Sequence, residues 1–149
     1  MLLKDIYTPD VVCCGGQTTA LEAARLMRQR HVGDLVVVED PIGARTPLGV
    51  VTDRDLVVEV LGNGQDPTQT TVADLIRTPV VIAGGSEDSY LVAERMRSHG
   101  VRRVPVVDRQ GALVGIVTLD DLIKCMVKEG ALLVEVMSKG QDREQRARR

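Results

Sequence analysis

The sequence contains no phenylalanine and no tryptophan, and Tyr7 and Tyr90 are its only aromatic side chains. The stacking platforms used by single-strand binders are therefore missing, and the core has to be aliphatic. With a formal net charge of -2 and a pI near 5.7, no electrostatic drive toward nucleic acid or an anionic membrane is expected. Cysteine is sparse: Cys13 and Cys14 are adjacent, Cys125 is remote, and no C-x-x-C pair exists. This pattern is neither a disulfide framework nor a metal site, so reduced thiols are expected. One of Cys13 and Cys14 should be buried, because neighbours on a strand point to opposite faces. His31 and His99 lack Cys, Asp or Glu at ligand spacing and read as helix-end residues, so no metal is expected. No apolar run approaches the roughly 18 residues of a membrane helix, and the stretch from Met1 to Asp5 has no apolar signal-peptide core. A cytoplasmic protein without a membrane partner is the expectation. G-x-S-x-G, H-E-x-x-H and Walker motifs are absent, and no nucleophile and base pair stands out, so catalysis is not expected.

What is present is a repeat. Asp5 and Asp74, Val11 and Val80, Gly15 and Gly84, Gly16 and Gly85, Met27 and Met96, and Val37 and Val106 are all 69 residues apart. After a loop three residues longer in the first copy, the spacing becomes 66 for Gly49 and Gly115, Thr52 and Thr118, Asp55 and Asp121. A chain of 149 residues suits two intimately packed halves of this kind.

Each copy reads as a short helical turn (Leu3 to Tyr7; Val72 to Ile76), then a small strand around Val11-Val12-Cys13 or Val80-Val81-Ile82 that ends at paired glycines. An amphipathic helix follows, with Ala20, Ala23, Ala24, Met27 and His31 on one face and Val92, Ala93 and Met96 in the second copy. Two β-branched runs and a final helix complete a β-α-β-β-α unit. The fold class is therefore α/β (α+β), with the two small sheets packed against each other. The spans are 1-61, a linker at 62-71, and 72-128. Residues 129-149 form a C-terminal extension in which Gly130 is a weak point, and the polar, basic tail beyond Gly140 is expected to be disordered.

The most informative stretches are Gly49-Val50-Val51-Thr52-Asp53-Arg54-Asp55 and Gly115-Ile116-Val117-Thr118-Leu119-Asp120-Asp121. Each reads as a strand that stops at a threonine and turns into a helix. Threonine at N-cap with a carboxylate three residues on makes a capping box. The same geometry presents a hydroxyl and a carboxylate beside unpaired helix amides, which suits a ribose and a phosphate.

Together with Gly100-Val101-Arg102-Arg103-Val104-Pro105-Val106-Val107 and His31-Val32-Gly33-Asp34-Leu35-Val36-Val37-Val38, these motifs resemble a tandem pair of CBS domains, the regulatory Bateman module, over residues 1 to 128. The resemblance implies pseudo-twofold symmetry, two clefts and frequent dimerisation. It also implies a regulatory ligand, an adenosine compound such as AMP, ADP, ATP or S-adenosylmethionine, with NAD in some members and no required cofactor. It assigns Thr52, Asp53, Arg54 and Asp55 to one cleft and Thr118 and Asp121 to the other, with Val50 and Ile116 flanking an adenine. Thr18 is implied as a phosphate contact of the Asp121 cleft. Its counterpart Glu87 would repel a phosphate at the Asp55 cleft. Arg102 and Arg103 would offset that repulsion, or else form a solvated strand end or a salt bridge. The expected function is a nucleotide sensor signalling through a homodimer or an unidentified protein partner. The alternative is an interaction scaffold with empty or vestigial clefts.

Overall fold

The computed structural model describes residues 1–149. After a single 3-10 turn at Leu3–Asp5, the first copy comprises β1 (Cys13–Gly15), α1 (Ala20–Arg30), β2 (Asp34–Val38), β3 (Pro47–Thr52) and α2 (Asp53–Asp55), which continues as a π-helical segment over Leu56–Leu61. The second comprises α3 (Val72–Leu75), β4 (Ala83–Gly84), α4 (Ser89–His99), β5 (Arg103–Val107), β6 (Leu113–Thr118) and α5 (Leu119–Ala147). Each copy forms one three-stranded sheet, ordered β1-β2-β3 and β4-β5-β6, with a parallel first pair and an antiparallel second pair.

β2 and β5 are the central strands, which explains their unbroken β-branched runs: Leu35 to Val38, Val104 and Val106 have no exposed surface. A strand covered on both faces has no polar face to alternate with. One face of each sheet packs under the helices of its own copy. The other faces meet, where Val36 and Val38 join Leu113 and Ile116 in a cluster with Val11, Cys13 and Val50 at its edge. The first strand of each copy starts two or three residues later than its apolar run. Val11 and Val12 instead supply core side chains, and Val12 contributes only a carbonyl that accepts from the Val36 N–H at 3.1 Å.

The copies exchange their opening turns. Leu3 is fully buried in the core of the second copy, and Val72 in that of the first. Matching backbone bonds hold both turns: Leu3 N–H to Glu87 C=O (3.0 Å) and Lys4 N–H to Gly85 C=O (2.9 Å), against Val72 to Thr18 (2.8 Å) and Ala73 to Gly16 (3.0 Å). The sequence repeat and the packing unit therefore differ, because each turn covers its neighbour's core.

Residues 119–147 form one helix, which corrects the expected weak point at Gly130 and the disordered tail. Two glycines in a helix cost about 1 kcal/mol each relative to alanine. The strong helix formers Ala131, Leu132, Leu133, Glu135 and Met137, a Glu135 to Lys139 spacing that favours ion pairing, and Arg146 in the last turn work against that cost. No helix is long and apolar enough to cross a membrane.

Candidate functional site

Both threonine–aspartate motifs fold as capping boxes. Thr52 N–H donates to Asp55 Oδ2 at 2.8 Å while Asp55 N–H donates to Thr52 Oγ1 at 3.3 Å; the Thr118 and Asp121 distances are 2.9 and 3.2 Å. Each threonine hydroxyl also donates to the same Oδ2, at 3.2 and 2.9 Å. Capping thus uses one carboxylate oxygen and leaves Oδ1 of each aspartate available. A carboxylate held by two local donors is preorganised to accept vicinal hydroxyls.

The strand glycines exist for close approach. A Cβ on Gly115 would lie 2.2 Å from the Tyr7 ring, and one on Gly49 would lie 2.8 Å from Ile76. Tyr7 and Ile76 are repeat equivalents, each crossing over the other copy's outer strand. Beyond them the clefts diverge. Thr8 forms a two-bond bridge to Ile116, with Thr8 N–H to Ile116 C=O at 2.9 Å and Ile116 N–H to Thr8 C=O at 3.0 Å. Ile116 is consequently 8% exposed. The corresponding pair between Arg77 and Val50 does not form. Val50 faces Val36 in the register that Ile116 shares with Pro105. That register turns the Val50 N–H and C=O outward from the sheet.

On the Val50 side lies a cleft of about 870 Å³, lined among others by Val50, Asp55, Arg77, Arg95, His99 and Arg103. This volume is in the range of small-molecule sites. Every arginine in it already has a carboxylate. Arg95 donates to both oxygens of Glu87 (2.6 and 3.3 Å) and to Ile82 C=O (2.7 Å). Arg77 pairs with Glu59 at 3.2 Å. Arg103 Nε donates to Asp34, its own repeat equivalent, so that this pair ties the two copies together. Glu87 is therefore no free negative charge. The Arg95 guanidinium, followed by the Gly84 N–H, holds its carboxyl below the usual range.

Of the residues assigned to the Asp55 cleft, Val50, Asp55 and Arg103 line it. Thr52 stands behind Asp55 as its cap. Asp53 turns back to accept from Arg54 N–H, and Arg54 and Arg102 are exposed outside the lining. The Arg102 carbonyl instead accepts from Leu119 N–H at the start of α5. Thr118 and Asp121 sit beside the bridged Ile116. Thr18 precedes α1, next to Cys14, whose thiol burial pushes up to about 11 against a smaller opposing pull from the Thr18 side chain. The reading from sequence missed Arg77, Arg95 and His99. Their signal was a departure from the repeat: they stand where the first copy has Thr8, Leu26 and Arg30.

The CBS domain family model matches residues 3–62 and 72–128. The CBS domain-containing protein YhcV of Bacillus subtilis is 37% identical over 120 residues, covering 80% of this chain and 81% of that protein. Hypoxic Response Protein I, solved with two coordinated zinc ions, superimposes with a TM-score of 0.72 at 33% identity, over 83% of this chain and 98% of that one. The CBS domain pair of protein MJ0100, solved in complex with 5'-methylthioadenosine and S-adenosyl-L-methionine, gives a TM-score of 0.73 at 26% identity, over 87% of this chain and 98% of that one.

Proposed function

This chain belongs to the CBS domain family and carries the domain twice, and from that premise we propose that it is a regulatory module that binds one adenosine nucleotide in the Asp55 cleft. The observation that carries the reading is the open cleft itself, where free main-chain groups at Val50, an unused carboxylate oxygen on Asp55 and three arginines converge. Val50 N–H and C=O suit the hydrogen-bonding edge of adenine, and Asp55 Oδ1 accepts from ribose hydroxyls. The arginines take the phosphates. The complex of the MJ0100 pair with two adenosine compounds, neither of them phosphorylated, supports the adenosine part of this ligand.

Signalling follows from what the arginines leave behind. A phosphate that draws Arg103 away from Asp34 exchanges a bond between the copies for a bond to ligand, so occupancy biases how the two copies pack. Coupling of this kind is typically worth about 1 to 3 kcal/mol. The output surfaces are the exposed apolar side chains Val57, Val58 and Leu61 of the π-helical segment and those of α5, through which the chain forms a homodimer or meets a protein partner. The bridged Asp121 side fits a vestigial cleft, so the scaffold reading applies to half the molecule.

A thermal-shift panel of AMP, ADP, ATP, S-adenosylmethionine and NAD tests the proposal. At a hundred times its dissociation constant, a ligand stabilises the fold by about 2.7 kcal/mol. A phosphorylated adenosine compound is expected to raise the melting temperature. If none of the five compounds moves it, the sensing role falls.

A further inference from the structure

We propose that α5 pairs antiparallel with the α5 of a second copy of this chain, through the helical stretch that continues past the matched family domain. The inference deepens the homodimer reading and does not depend on nucleotide binding. The helix has 29 residues, about 44 Å of length, whereas the family match ends at residue 128. Beyond that point Leu132, Leu133, Val134, Val136 and Met137 are 60–67% exposed, a continuous apolar surface with nothing of its own chain to cover it.

The spacing specifies what covers it. Ile123, Met126, Gly130, Leu133, Met137 and Gly140 recur at alternating intervals of four and three, the pattern of a helix–helix seam. Neither glycine has a packing reason within one chain, since a Cβ on Gly130 or Gly140 would meet nothing within 4 Å. Each nevertheless costs the helix about 1 kcal/mol. In a seam, a glycine receives a large side chain from the opposite helix. An antiparallel register with Met126 opposite Met137 places Gly130 against Leu133 and Gly140 against Ile123, so each glycine layer joins a large residue to a small one. A parallel pair would stack glycine on glycine and leave holes.

Charge selects the same orientation. From Asp120 to Glu135 acidic side chains exceed basic ones by two, and from Lys139 to Arg149 basic exceed acidic by three. Antiparallel pairing lays the basic end of one helix along the acidic end of the other, whereas parallel pairing sets like against like.

Double electron–electron resonance on the full chain tests this, with Cys13, Cys14 and Cys125 replaced by alanine and one nitroxide at Ala131→Cys or Gln145→Cys. The antiparallel seam predicts a separation of about one interhelical spacing at 131, roughly 10 Å plus the reach of the labels. At 145 it predicts about 40 Å. Leu133→Glu should abolish both couplings while circular dichroism stays that of the folded chain, because Leu133 is 65% exposed in the single chain. Short separations at both positions would mean a parallel pair and overturn the proposal while a homodimer stands. Couplings that survive Leu133→Glu would likewise overturn it. No intermolecular coupling at all would overturn the homodimer reading too, and the nucleotide panel would be unaffected.

Discussion

The clefts beside Asp55 and Asp121 start from the same skeleton of glycine, two β-branched residues, threonine and aspartate, and both build the same capping box. They differ in the segment that crosses them. In Tyr7-Thr8-Pro9 the proline directly follows Thr8, and a residue before proline is pushed toward extended backbone. Extended Thr8 pairs with Ile116 and occupies the outer edge of β6. In Ile76-Arg77-Thr78-Pro79 the proline comes one position later, Arg77 makes no such pair, and the edge at Val50 stays open above a cavity of about 870 Å³. A one-residue displacement of proline thus separates a filled strand edge from an available one.

The largest effect should come from the residues that let the crossing segments approach. Gly115→Ala drives a Cβ into the Tyr7 ring and the Thr8 carbonyl, costing about 3 kcal/mol. Gly49→Ala meets the branched Ile76 side chain at Cδ1, Cγ1 and Cγ2, at longer distances and without a backbone atom among them, and should cost less, about 2 kcal/mol. Urea denaturation of both variants measures the difference, and equal losses would mean that the two crossings are equally tight.

Next is the asymmetry of binding. Asp55→Asn keeps a capping acceptor but removes the charge offered to ribose, at a cost of about 1.5 to 3 kcal/mol in affinity, or roughly 10- to 100-fold. Asp121→Asn should leave affinity unchanged. Titration calorimetry with the best ligand of the panel reads both, and a comparable loss in Asp121→Asn would assign ligand to the bridged side as well.

The proline argument can be tested in either direction. Thr8→Pro removes the N–H that donates to Ile116, costs about 1 kcal/mol of stability, and should raise stoichiometry from one ligand per chain to two. Thr78→Pro places a proline directly after Arg77 and should close the open side. If stoichiometry is unchanged in both variants, the crossing segment does not decide occupancy.

The smallest effect concerns pH. Arg95 and the Gly84 N–H hold Glu87 below its ordinary 4.5. The unfolded chain therefore binds the proton first, and the stability this carboxylate supplies is present above about pH 4.5 and lost as pH falls through its lowered value. Melting temperatures taken down to about pH 3 should fall less steeply in Glu87→Gln than in the parent chain. The pair is partly exposed, so the difference should be modest.

Much of this was readable in the sequence because it is periodic or local. The 69-residue repeat announced two units, the β-branched runs announced central strands, and Thr52 with Asp55 announced a cap by spacing alone. Other features depended on distant partners. Glu87 reads as a free negative charge until Arg95 is seen beside it, and among the roles the sequence leaves open for Arg103 only the fold supplies Asp34 as its salt-bridge partner. Gly130 and Gly140 hide the continuity of the helical extension in the sequence, and the exchange of the opening turns leaves no mark in the pattern of either copy.

The duplication, the family and the two threonine–aspartate motifs are written in the order of residues, because each follows from spacing within a few residues or from identity between the copies. Which motif faces an open cleft is a property of the folded chain. That depends on how Tyr7-Thr8 and Ile76-Arg77 lie across strands more than 25 residues away in sequence. Main-chain hydrogen bonds made at that distance are set by the packing of both halves together.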